Sequence, residues 1–415
     1  MKNHRLLRVV IATLVTLIAS PTVRSHAAAL TPAEISALGN KYIDPSEATG
    51  SSMAVVVGDT HLAHTALILP LDSNQTVHGL SDAEAQARKV LQLLAFALKK
   101  ADTGIPQIAK LNVYLADSRH LSAVQKVISN TFSGKGKPAI CFVVGDLPHP
   151  NVLVGMDAVA TTSTPGSKTV IRASSEAIHQ VHGHSHVAIL PTGSKVYVSG
   201  QAVRAGDLAT STRKTMEQLE ETLRHLGLGW QNVVQIKSFL QPMGEVEKAR
   251  DEIGKFFGGS PAPPLVFVEW TSTTPIEIEL IAAGGLAATD AESVEYITPT
   301  GMKASPVFCR VVRINFGKNV YISGLLGDNT AQPESQVRDI FSALRYLSRK
   351  TGSDMRHLVK ATYYVTDSDS SALLNKIRPE FYDAARPPSA SKAAVKATGF
   401  EGNTIAIDMV AATTR

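Results

Sequence analysis

The sequence predicts an α+β protein built from three tandem copies of one folded unit, and three observations carry that expectation. First, a strand–turn–strand segment occurs three times in altered form, at Pro138–Ala160, Pro261–Ala283 and Pro387–Ala411. Each copy runs from a proline-bearing lead-in through an apolar strand and a turn into a second strand with an acid near its end: Asp157, Glu279 and Asp408. Second, the strand-like segments IAKLNVYLAD, VVQIKSFLQP and LVKATYYVTD begin at residues 108, 233 and 358, a period of 125 residues both times. Equal spacing of this length indicates repeated units that each own a core. Third, every copy mixes strand-period and helix-period segments, the mark of an α+β layer.

In the first copy, 53–71 reads as two strands around a turn at Gly58-Asp59. The stretch 81–100 is helical, with Ser81 as cap, Glu84 three residues on, and Ala87, Val90, Leu91, Leu94 and Leu98 on one face. Gly104-Ile105-Pro106 ends it, and a strand over 108–115 and a helix over 118–132 follow. The second copy repeats the order: KVYVSGQ at 195–201, a helix over 207–226 stopped by Gly227 and Gly229, a strand at 233–240 and a helix at 245–257. The third gives NVYISGL at 319–325, a helix over 333–350, a break at Gly352, a strand at 358–365 and a helix at 370–382. The repeats are bounded at 50–161, 178–284 and 303–415, with linkers near 161–177 and 284–302; a short helix is expected at 32–38.

Composition excludes several classes. At 415 residues with 44% hydrophobic and 19% charged residues, the chain is globular and too long for one ordinary core. Lys2, Arg5 and Arg8 precede an apolar run from Val9 to Ala19, and Ser25-His26-Ala27 offers a cleavage site, so residues 1–27 read as a secretory signal. The expectation is therefore an exported protein, periplasmic or extracellular, with an uncleaved tether as the alternative. Removing four basic residues and no acid lowers the net charge from +5 to +1. That leaves no broad basic field for nucleic acid, and no later run has the ~18 apolar residues of a membrane helix. Cys141 and Cys309 lie in apolar strands and read as buried thiols rather than a bridge.

The order strand-Ser-Gly-Gln, amphipathic helix, central strand, helix, proline-rich strand and closing IEIE strand resembles the Rid (YjgF or RidA-like) family, over about residues 50–415. The resemblance implies a chorismate-mutase-like fold that assembles as trimers, sheets inside and helices outside, with small-molecule sites in the clefts between subunits. Three copies in one chain then imply an intramolecular pseudotrimer and a monomer in solution. The best-studied activity that the resemblance implies is hydrolysis of reactive 2-imino acids to 2-oxo acids and ammonia. That chemistry needs a cation for the substrate carboxylate and a group that positions water.

The family's cation is an arginine in the proline-rich strand, where alignment places Ala139, Pro263 and Ala390; a shifted third alignment would bring in Arg386. Its water-positioning acid corresponds to Asp157, Glu279 and Asp408, whose alternative reading is a hydrogen-bonded strand end. Ser199-Gly200 and Ser323-Gly324 match its cleft Ser-Gly, or are turns; copy one has Thr65-Ala66 there. Cys141 matches a cysteine beside the family's arginine, with core packing the competing role. His179, His182, His184 and His186 crowd the start of copy two. They read as surface histidines in a lead-in rather than a metal site. No phosphate loop, nucleophile elbow or CxxC is present, so no cofactor and no metal is expected, and the ribonuclease label carried by some relatives finds no basic, aromatic-laced stripe. The sequence thus points to a small metabolite bound between repeats without the family's arginine, or alternatively to an imine or enamine hydrolase using Glu279.

Overall fold

The computed structural model describes residues 39–414 except Lys135, 164–166 and His182. The signal at 1–27, the short helix at 32–38 and His182 lie outside the described residues.

Repeat 1 contains β1 (Lys41–Ser46), β2 (Ser51–Val57), β3 (His61–Thr65), α1 (Ala83–Lys99), β4 (Ile108–Leu115), α2 (Leu121–Thr131), β5 (Ala139–Val144) and β6 (Val154–Thr162). Repeat 2 contains β7 (Ile171–Ala173), β8 (Val187–Leu190), β9 (Ser194–Gln201), α3 (Leu208–His225), β10 (Val233–Leu240), α4 (Val246–Lys255), β11 (Leu265–Glu269) and β12 (Ile276–Gly285). Repeat 3 contains β13 (Val294–Ile297), β14 (Val311–Ile314), β15 (Asn319–Leu325), α5 (Pro333–Lys350), β16 (Leu358–Val365), α6 (Ser368–Ile377), β17 (Ser389–Ala394) and β18 (Ile405–Ala412). The two stretches expected to be linkers thus each hold a short strand, β7 and β13, which pair with β8 and β14.

Inside each repeat the pairing is the same. The closing strand β6, β12 or β18 runs antiparallel between β3, β9 or β15 and the central strand. The central strand β4, β10 or β16 in turn pairs in parallel with β5, β11 or β17. Between repeats, β2 pairs with β15, β8 with β3 and β14 with β9, all antiparallel. Repeat 1 therefore joins 3, repeat 2 joins 1 and repeat 3 joins 2, so the cycle of sheets closes within one chain.

Helices cover the outer faces. In α1, Val90, Leu94 and Leu98 pack on Leu111 and Val113; in α3, Met216, Leu219 and Leu223 meet Ile236; in α5, Ile340, Phe341 and Leu344 meet Ala361 and Tyr363. Apolar residues at helical spacing over a strand face form these three separate cores. One cap differs from expectation. Ser81 takes a left-handed backbone (φ 62°) in the turn, and Asp82 caps α1 by accepting from the Ala85 N–H at 3.0 Å. No described helix is long and apolar enough to cross a membrane.

The inner faces of the three sheets meet around a common axis. Tyr114, Phe239 and Tyr364, one from each central strand, form an apolar layer with Cys141, Val268, Trp270 and Val395. Below it lies a layer of charge.

Candidate functional site

Each closing strand alternates faces, so the residue that ends on Asp157, Glu279 or Asp408 also fixes where that carboxylate points. All three acids point to the axis, not into the inter-repeat clefts, and there they meet lysines of the central strands. Lys110 reaches Asp408 at 2.5 Å and the Ile322 carbonyl at 2.8 Å; Lys360 reaches Glu279 at 2.6 Å. Asp157 accepts from the Tyr114 hydroxyl at 2.6 Å and the Asn112 amide at 2.9 Å. Ser391 also donates to Glu279. These groups line a chamber of about 60 Å³ with Lys237, Gln235, Thr362 and His64.

The electrostatics are those of a buried, balanced cluster. Burial raises the Asp157 carboxyl above its ordinary value, against the opposing pull of Lys237 and its two hydrogen bonds. Burial alone would lower Lys237, but the charges of Asp157, Glu279 and Asp408 outweigh it and leave the ammonium raised. His64 is fully buried with neither ring nitrogen hydrogen-bonded, and burial pulls it down to about 4, so it is neutral at pH 7. The correction to the sequence expectation is therefore one of place: Asp408 and Glu279 are spent on lysines of the axis and Asp157 on Tyr114 and Asn112, and none of the three faces a cleft. The missed signal is the lysine in the middle of each apolar central strand.

The three clefts between repeats are unequal. Between repeats 3 and 1, about 190 Å³ is lined by Cys141, Ser323, Gly324, Met53 and Phe400. The Ser323 hydroxyl is already committed, accepting from the Ile140 N–H at 2.8 Å and donating to the Ser52 carbonyl at 2.7 Å. Gly324 is required because a Cβ there would sit 2.9 Å from the Cys141 sulfur. Burial pushes the Cys141 thiol up to about 12, with Asp408 adding to it, so it carries no thiolate. Cys309 is also buried, and both cysteines are free.

Between repeats 2 and 3, the Glu277 carboxylate lies directly against Gly200, leaving no room for a Cβ. Ser199 is buried with its hydroxyl unpartnered, as is Glu277 Oε1. Burial pushes Glu277 up to about 7, and the charge of Glu279 pushes the same way. Sequence reading passed over Glu277, although Gly155 and Ala406 stand two residues before the acid in the sister strands and only this copy has a second carboxylate.

Between repeats 1 and 2 a space of about 490 Å³ opens. It is walled by Leu67, Leu69, Leu265 and Phe267 and carries His179, His184, His186, Glu247 and Arg250. Of the described histidines of this stretch, His179 and His184 are partly exposed as a lead-in would have them, whereas His186 is not. His186 is buried, accepts from the Ser175 N–H at Nδ1 (3.1 Å) and faces the His179 carbonyl from Nε2 (3.0 Å). That fixes one neutral tautomer, and burial lowers its pKa further. Among the described residues no group of three or more His, Cys, Asp or Glu could hold a metal ion.

The parallel register also refines the strand positions expected to bear a cation. Ala139 lies opposite Lys110 and Ser389 opposite Lys360, so the third-copy counterpart is Ser389 and not Ala390. The Ile236 N–H bonds the Pro264 carbonyl, which moves the second from Pro263 to Pro264. Arg386 lies before β17 and pairs with Glu292 at 2.8 Å.

Two outcomes follow from the charges. Lys360→Met strands Glu279 in the interior and costs about 3–5 kcal/mol by chemical denaturation, whereas adding Glu279→Leu recovers most of it; equal stability of the single and double variants would contradict the pairing. Glu277 sets a pH dependence. Its pKa is about 7 in the folded chain against an ordinary value of 4.5. Between those values the folded state holds a proton that the unfolded state lacks, so stability falls as pH rises through the window. Up to about 3 kcal/mol is lost, and Glu277→Gln removes that part of the slope between pH 5 and pH 8.

Comparison with known proteins places this architecture. The family model described as Endoribonuclease L-PSP matches three times, at residues 45–162, 174–284 and 301–413. The chain is 33% identical over 119 residues to "RutC family protein UK114" of Drosophila melanogaster, covering 29% of this chain and 84% of that protein. It is 29% identical over 100 residues to "3-aminoacrylate deaminase RutC" of Acinetobacter baylyi, covering 24% of this chain and 79% of that protein. Among solved structures, the Rid-family protein YyfB from Yersinia pestis is 25% identical, with 29% of this chain and 98% of that chain covered and a TM-score of 0.28. With three matches spanning most of its length, the chain belongs to the Endoribonuclease L-PSP family, the Rid-type group that its sequence resembles, as three tandem repeats.

Proposed function

We propose that this chain is an exported, monomeric pseudotrimer that binds a small molecule in the cleft between repeats 1 and 2, without the strand arginine of its family. The observation that carries the reading is the inequality of the clefts. One offers about 490 Å³ with apolar walls and a few polar groups, within the ~300–1,000 Å³ usual for ligand sites. Between repeats 3 and 1 the space is about 190 Å³, the Glu277 carboxylate fills the place beside Gly200, and a further space of about 420 Å³ between α3 and residues 299–302 is lined mainly by polar and charged side chains. Ala139, Pro264 and Ser389 offer a carboxylate no cation from the strand, and the Ser389 hydroxyl donates to the Val359 carbonyl, which argues against efficient 2-imino acid hydrolysis.

A second reading, an imine or enamine hydrolase as the relative named 3-aminoacrylate deaminase suggests, is favoured by one observation. Glu277, which lies against Gly200 at the repeat 2–3 cleft with Oε1 unpartnered, is a carboxylate with a pKa near 7, suited to proton transfer at neutral pH.

Ligand-observed NMR with a panel of small metabolites separates the two. Binding that is lost in Ala66→Trp, which fills the repeat 1–2 cleft, and kept in Glu277→Gln is the expected result; binding indifferent to Ala66→Trp sinks the first reading. With 2-iminobutanoate generated in solution, we expect decay at the background rate, and turnover abolished by Glu277→Gln would establish the second. Sedimentation should give the mass of a single chain, and three times that mass would defeat the pseudotrimer.

A further inference from the structure

We propose that the repeat 1–2 cleft selects a monocarboxylate with a bulky apolar body, and that Arg250 of α4 is the residue that holds its head. The proposal rests on the reading of this cleft as the ligand site and adds the chemistry of the occupant.

The Arg250 side chain is 14% exposed and lines the cleft. Its guanidinium stands 5.3 Å from the centre of the Phe267 ring, a contact that holds the plane of the group against an aromatic face. The partner recorded for it among the described residues is Glu247, one turn earlier on α4, 3.2 Å from Nε. That contact lacks hydrogen-bond geometry, and Nε is buried without a hydrogen-bond partner. Glu247 itself is 68% exposed, so water screens it. The terminal N–H groups, which form the fork that matches a carboxylate edge, have no recorded partner among the described residues. Unlike Nε, these terminal nitrogens are not buried and face the open cleft, where a planar oxyanion can accept from two donors at once.

Charge limits the anion. Arg250 is the sole Lys or Arg among the described residues lining the cleft, and Glu247 stands beside it. His186 is locked as a neutral ring by its two backbone partners, so it adds no second positive charge. With His186 neutral, one permanent cation stands next to one carboxylate, beside the imidazoles of His149, His179 and His184, and a monoanion matches that permanent charge better than a phosphate dianion. The rest of the ligand is set by the walls. Leu67, Leu69, Ile178, Leu265 and Phe267 are apolar, and about 490 Å³ is far more room than a carboxylate head occupies. Burial of an apolar body contributes roughly 25 cal/mol per Å² of apolar surface.

Arg250 was invisible to sequence reading because it comes from a helix of the second repeat, not from the strand that the family resemblance singles out. A guanidinium reaching in from α4 approaches the cleft from a different wall. The orientation of a ligand held there is then set by Phe267 beneath the head and by the repeat 1 segment at Leu67–Leu69.

The test is calorimetry on the full chain with 3-phenylpropanoate, its neutral amide and phenyl phosphate. The expected result is binding of the acid about ten-fold or more tighter than the amide or the phosphate. Arg250→Met should weaken the acid by about ten- to a hundred-fold, the span of one to two charged hydrogen bonds, while leaving the amide unchanged. Arg250→Lys keeps the charge without the fork and should fall between. Circular dichroism confirms that each variant is folded, and Ala66→Trp should abolish binding of every probe.

The failures are distinguishable. Amide or phosphate binding as tight as the acid, or acid binding unmoved in Arg250→Met, overturns this inference and leaves the cleft reading standing. Absence of binding by all three probes to the native chain, or binding that survives Ala66→Trp, overturns the cleft reading and this inference with it.

Discussion

The ring of lysines and carboxylates on the axis is the constraint on which the rest of the molecule depends. Lys110 of repeat 1 holds Asp408 of repeat 3, and Lys360 of repeat 3 holds Glu279 of repeat 2. Lys237 of repeat 2 closes the cycle through its field on Asp157 of repeat 1. The sense of this cycle, 1 to 3, 3 to 2 and 2 to 1, is the sense in which the edge strands pair. A charge buried away from water must be matched or neutralised. A repeat that left the cycle would therefore strand its own acid and its neighbour's lysine together. Hydrophobic burial drives the three sheets onto one another without direction, whereas the ring specifies which repeat meets which and at what height along the axis.

With the axis fixed, the clefts are free to differ. The interior of the ring needs three cations and three anions, but nothing in that requirement reaches the outer openings between repeats. At one opening Gly324 lets a cysteine close up and Ser323 pins two repeats by backbone hydrogen bonds. At another, Gly200 admits the Glu277 carboxylate. At the third, the segment after β3 carries Leu67 over to bond the Leu265 carbonyl, and the cleft stays open beneath it. Fusion into one chain permits this, since a change at one cleft is not imposed on the other two.

Much of the fold was legible in the sequence because the signals were periodic and local. The 125-residue spacing located the central strands, and helix α5 ran over 333–350 as its apolar spacing indicated. The three acids were also legible as a repeated feature, but their direction was not. A period of two says that Glu277 and Glu279 share a face, yet one meets a cleft and the other the axis, and the pairing of β12 with β9 shifts register between Ile278 and Leu280. The lysines were legible in principle, as ionisable residues inside strands buried along their whole length. Arg250 was not, because on α4 it is one of several charged residues and only the tertiary contact with Phe267 distinguishes it. The histidines misled for a related reason. Their Gly- and Ser-containing stretch reads as a loop, yet pairing of β7 with β8 draws His186 into the interior.

The ring also reveals how a fused chain tolerates asymmetry at its most demanding place. Repeats 1 and 3 place their lysine at equivalent positions, Lys110 and Lys360, where repeat 2 has Gln235; repeat 2 instead carries Lys237, where the others have Asn112 and Thr362. A shift of two residues along a strand returns the side chain to the same face, so the count of three cations survives while their geometry changes. The consequence falls on Asp157. Deprived of a lysine at hydrogen-bond distance, it takes neutral donors from Tyr114 and Asn112, and Lys237 instead sits within the field of all three acids. Gln235, freed from carrying charge, donates to the Thr65 carbonyl of repeat 1 at 2.8 Å, at the edge of the repeat that walls the open cleft. The irregularity in the ring is thus compensated by neutral hydrogen bonds on both sides, and it lies on the junction between repeats 1 and 2, where the cleft of about 490 Å³ opens.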